Sequence, residues 1–265
     1  MKRKMRICLF QFDIKTNLPE SNLAKVLLAA EKAVEVKRAE MICLPELFTT
    51  GFGDLDNIED FSEVLEESTT ISEIQEFTGS YKVIMCGSLV EKDGKKLYNT
   101  AFIIENGKLL GTYRKKNLFA PMREDEFLTP GSEVSVIKTT KANIGLETCY
   151  DIRFPEVSRE LALQGAELIA VPANFPDPRD DIWVILLQAR AIENQLFVAG
   201  VNRTGSDGLH NFSGNSCIVR PDGKQLTPLV NDESVLTATV DLDMIEEIRG
   251  QIRAFKDFEN KHGKK

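Results

Sequence analysis

A chain of 265 residues with 42% hydrophobic and 28% charged side chains has the composition of a soluble globular protein, and its length suits one large α/β domain better than two small ones. A net charge of −8 and the lack of a basic stripe argue against nucleic acid or an anionic membrane surface as the partner. No apolar run reaches bilayer-spanning length, and the basic start leads into a strand-like run without a cleavage site, so no membrane partner and a cytoplasmic location are expected.

The apolar run 4–12 reads as a buried strand and 17–21 as turn-like. Apolar residues at Leu23, Val26, Leu27, Ala30 and Val34 predict a helix over 22–37. A short strand over 40–44 ends at Pro45, which places Glu46 at a strand end. Residues 61–81 predict one or two helices. Strands follow over 83–90 and 97–104, with turns at 92–95 and 105–108, and 109–115 leads into the next loop. Residues 116–131 read as a loop. The run 142–146 then drives toward Cys149, where Asp151 and Pro155 mark a turn and a helix start.

The second half repeats this order. Residues 38–48 align with 165–175, and 99–108 with 215–224. Between them lie a helix over 182–194 and a strand over 196–201. Two similar halves predict stacked sheets, each covered by its own helices, an α/β fold in four α-β-β-α layers. A single doubly wound sheet is the alternative, but no Gly-x-Gly-x-x-Gly follows the first strand. No Pro/Gly/Ser linker divides the halves, so 1–265 reads as one domain. A last strand over 234–241 and a helix over 242–249 precede 251–265, read as an irregular arm or tail.

Five cysteines, an odd and widely spaced set, argue against a disulfide framework or a zinc site. Cys8, Cys43, Cys86 and Cys217 sit inside apolar runs and read as core. Cys149 ends its run. At such a turn, backbone N–H groups can lower a thiol pKa and bind an oxyanion, so it is a candidate nucleophile. A cysteine buried as a small hydrophobe is the competing reading. Only His210 and His262 are available, so the base expected for Cys149 is a carboxylate, helped by a lysine. Glu46, Lys115 and Glu124 lie at strand ends or in loops. Each alone reads equally as a solvated surface charge.

Together, Leu44-Pro45-Glu46-Leu47-Phe48, Tyr113-Arg114-Lys115-Lys116-Asn117-Leu118-Phe119 and Cys149-Tyr150-Asp151-Ile152-Arg153-Phe154-Pro155-Glu156 resemble the nitrilase superfamily of carbon–nitrogen hydrolases. The resemblance runs from about Met5 to Phe258 and implies the α-β-β-α sandwich. It also implies a Glu46-Lys115-Cys149 triad supported by Glu124, no metal or cofactor, and a homodimer or larger assembly. Asn117 stands where many members have His. The pattern is most like the ω-amidase branch, which implies a small carboxylate-bearing amide as substrate. Arg153 is the candidate partner for that carboxylate, with an ion pair packing the turn as its other reading. Tyr150, Asn174 and Phe175 are expected to line the pocket. The rivals are another amide substrate, such as a carbamoyl amine or deaminated glutathione, a thiol redox sensor, and a non-catalytic binding protein.

Overall fold

The computed structural model describes residues 3–262. Strands β1 (Lys4–Gln11), β2 (Met41–Cys43), β3 (Ile84–Asp93), β4 (Lys96–Glu105) and β5 (Lys108–Arg114) build the first sheet. Strands β6 (Val136–Lys138), β7 (Asn143–Leu146), β8 (Leu168–Ala173) and β9 (Phe197–Asn202) build the second. A small hairpin, β10 (Thr204–Ser206) and β11 (Asn211–Ser213), precedes β12 (Cys217–Val219), which joins the second sheet. The last strand, β13 (Ser234–Asp241), returns to the first. The orders are β13-β1-β2-β3-β4-β5 and β12-β9-β8-β7-β6. The three central strands of each sheet, β1-β2-β3 and β7-β8-β9, run parallel.

Alternation along the strands sets the layers. Met5, Ile7 and Leu9 of β1, with Met41 and Cys43 of β2, share one core cluster with Ile144, Leu146 and Val171 of the second sheet. Their neighbours Cys8, Phe10 and Ile42 face the other way, against Leu23, Val26 and Ala30 of α1 (Pro19–Glu35) and Ile71 and Ile74 of α2 (Thr69–Tyr81). After the single turn α3 (Glu124–Phe127), helices α4 (Pro155–Leu163) and α5 (Asp180–Asn194) cover the second sheet's outer face. Gly200 in β9 makes this close packing possible. A Cβ there would come within 2.8 Å of the Trp183 ring and 2.5 Å of Leu187.

Two stretches differ from expectation. The segment read as an irregular arm contains helix α7 (Ala254–His262), following α6 (Met244–Gln251). Phe255 anchors it: the ring is buried, its N–H donates to Gln195 Oε1 at 3.1 Å, and the Arg159 and Arg249 guanidiniums face the ring. Residues 263–265 of that segment lie outside the described residues. The stretch read as a loop over 116–131 holds two short turns, Ala120–Met122 and α3. Turns this short carry no periodicity to read.

Candidate active site

Cys149 opens a 3₁₀ turn, Cys149–Arg153, set between the end of β7 and Pro155 at the start of α4. Its φ is +46°, a left-handed conformation costly for a residue with a side chain. Asp151 holds the turn. Its Oδ2 accepts the Thr148 N–H at 3.0 Å and the Tyr113 hydroxyl at 2.7 Å. Its Oδ1 accepts the backbone N–H and side-chain amide of Asn117 at 2.9 and 2.8 Å. One buried carboxylate thus ties the cysteine turn to the end of β5. Asn117 fills its unusual position by donating to that carboxylate.

Lys115 follows β5 directly, and its N–H donates to Asn99 O at 2.9 Å. Its ammonium is buried and donates to Glu46 Oε1 at 2.8 Å and Glu124 Oε2 at 2.7 Å. The Asn99 amide bridges the same two carboxylates, at 2.7 Å to Glu46 and 3.0 Å to Glu124. Glu46 Oε2 accepts the Asn174 N–H at 2.8 Å, and the Asn174 amide donates to Glu46 O at 2.7 Å. Glu124 Oε2 also accepts the Phe119 N–H at 2.7 Å. Glu46 and Glu124 are both fully buried, so the solvated-surface reading fails for each.

The electrostatics follow from burial of two carboxylates around one ammonium. Burial pushes the Lys115 ammonium down, but Glu124 and Glu46 outweigh it and hold its pKa above the ordinary lysine value. Burial, reinforced by Glu124 and opposed by Lys115, raises the Glu46 carboxyl. Burial first, then the nearby Glu46 carboxylate, push the Cys149 thiol well above the usual range, against the pull of Lys115. The lowered thiol pKa expected at this turn is therefore not found. Backbone N–H groups are present, but desolvation and an adjacent carboxylate outweigh them. At rest Cys149 is a neutral thiol beside a carboxyl, Glu46, of raised pKa.

Cys149 opens onto a narrow cavity walled by Phe119, Tyr150, Phe175 and Pro176, with Arg153 and Arg179 also lining it. Asn174 does not line it; that residue braces Glu46 from behind. Arg153 lies 5.3 Å from the Phe175 ring centre and makes no ion pair within the described residues. His210 lies in the β10–β11 hairpin beside Asp207, and all five cysteines are free and buried. Among the described residues no three His, Cys, Asp or Glu side chains gather as a metal site requires. Sequence reading missed Asn99, Asp151 and Arg179. The polar Asn99-Thr100 pair interrupting the run from Leu97 to Ile104 was the available signal for the first.

The carbon-nitrogen hydrolase family matches residues 6–250. The chain is 37% identical over 256 residues to a 2-oxoglutaramate amidase of Bacillus subtilis, covering 96% of this chain and 97% of the relative. It is 32% identical over 260 residues to an omega-amidase of Xenopus tropicalis, covering 94% and 93%. Among solved structures, Nit3 of Saccharomyces cerevisiae, described as a member of branch 10 of the nitrilase superfamily, superposes with a TM-score of 0.88 at 29% identity over 94% of both chains. Sequence match, sandwich architecture and the buried cluster beside Cys149 agree: the chain belongs to the carbon-nitrogen hydrolase family, within the nitrilase superfamily.

Proposed function

We propose that this amidase cleaves the terminal amide of a small carboxylate-bearing amide, releasing ammonia through a Cys149 thioester. The observation that carries the reading is the buried Glu46–Lys115–Glu124 cluster set against a cysteine whose thiol stays protonated at rest. A neutral thiol needs a base at the moment of attack, and the Glu46 carboxylate is near enough to act on its titration. As Sγ bonds to the amide carbon, the thiol proton passes to Glu46. Lys115 has three N–H donors, of which Glu46 and Glu124 take two. The third, with the Tyr150 backbone N–H, would stabilise the oxyanion. Glu46 returns the proton to nitrogen, the C–N bond breaks and ammonia leaves. Glu46 then deprotonates water, which displaces the thiolate and frees the acid.

The names of the bacterial and frog relatives support a monoamide of a dicarboxylic acid. A redox-sensing cysteine would want a lowered pKa and a resolving thiol. The raised Cys149 pKa speaks against that rival. Ammonia release from a panel of ω-monoamides tests the reading. Cys149→Ala should abolish it, and release that survived this change would sink the mechanism. Free thiols fit a reducing compartment, the cytoplasm. Exposed Ile182, Ile185 and Ile192 on one face of α5 support a dimer or larger assembly. Light scattering should then give a multiple of 29.7 kDa, and a monomer mass overturns that part.

A further inference from the structure

Two guanidiniums line the cavity, and among the described residues neither is spent on an ion pair. Arg153 comes from the cysteine turn. Arg179 comes from the opposite side, at the cap of α5 after the loop that leaves β8. Each rests on an aromatic ring, Arg153 at 5.3 Å from the Phe175 centre and Arg179 at 5.7 Å from that of Phe119. Among the described residues neither has a carboxylate partner, although Arg3, Arg114, Arg123, Arg190, Arg203 and Arg220 each have one. Carboxylates are not scarce in a chain with 41 acidic residues. Among the described residues Arg6, Arg38, Arg159 and Arg249 also lack a carboxylate partner, but only Arg153 and Arg179 line the cavity at Cys149, whose lining residues include no Asp or Glu; like charges there repel until an anion joins them.

The chemistry of the site calls for such an anion-holder. Glu46 and Glu124 put two carboxylates against one ammonium, so the cluster resists a negatively charged substrate. A carboxylate-bearing amide enters only if its far end meets compensating charge. Guanidinium forks suit a carboxylate in geometry as well as sign. We propose that Arg179 determines specificity: together with Arg153 it clamps the distal carboxylate of the substrate and sets the preference for carboxylate-bearing over neutral amides. This inference rests on the amidase reading above.

The test compares kcat/KM for ammonia release from glutaric acid monoamide and from pentanamide, its neutral counterpart, in wild type, Arg179→Ala and Arg179→Lys. The ratio of the two specificity constants should fall about 10- to 100-fold in Arg179→Ala, and less in Arg179→Lys, which keeps the charge without the fork. A ratio unchanged in both variants overturns the role of Arg179 and leaves the amidase reading standing. A wild type that prefers pentanamide, or releases ammonia from neither, overturns the amidase reading and the clamp with it.

Discussion

Lys115 shows how one buried residue is kept charged. Alone in the interior, an ammonium loses its hydration and its proton becomes easier to remove. Two carboxylates at 2.7 and 2.8 Å reverse that sign, and Asn99 fixes the spacing between them. Glu46 was legible as the acid at a strand end after Pro45. Asn99 was not, because the sequence does not say which face of β4 meets the cluster. Glu147, two residues before Cys149, is a different case. Its carboxyl is buried with only the Ser158 hydroxyl at 2.6 Å, and burial, reinforced by Asp151, raises its pKa from 4.5 to about 7. A raised acid in the folded state binds its proton more tightly than in the unfolded chain. Its stabilising share is therefore complete below pH 4.5 and lost as pH rises through about 7. In urea unfolding, Glu147→Gln should gain on wild type across that window, by up to about 3 kcal/mol at its top. A gap between the two proteins that does not change with pH would refute this.

At the scale of elements, strands and long helices were readable because their apolar residues repeat with period two or near four. The cysteine turn was readable from Pro155 and Asp151. The direction of its thiol pKa was not: it depends on how completely neighbouring elements exclude water and on how near Glu46 lies, and both come from the fold. Helix α7 was missed because it is short and mostly polar, with its attachment concentrated at Phe255. That concentration makes a test simple. Phe255→Ala should cost about 3 kcal/mol in denaturant unfolding and expose the segment after Gln251 to protease. A loss below about 1 kcal/mol would show that α7 is held elsewhere.

Across the whole molecule the halves mirror each other in detail. Glu40 Oε2 accepts the Arg6 N–H at 2.9 Å beside β1, and Glu167 Oε2 accepts the Asn143 N–H at 3.0 Å beside β7. Each also takes a cation from the other half, Lys141 for Glu40 and Arg3 for Glu167. These exposed pairs are worth little individually. The stronger tie is β13, the last strand of the chain, which pairs antiparallel with all of β1 and buries Leu236 and Val240. A chain stopped at residue 233 should lack a cooperative thermal transition, and a sharp transition would contradict this. Protein synthesis delivers Glu46 first, Cys149 next and the closing strand nearly last. A ribosome that stalls before β13 therefore leaves Glu46 and Cys149 on halves that lack the closing strand, their strongest tie.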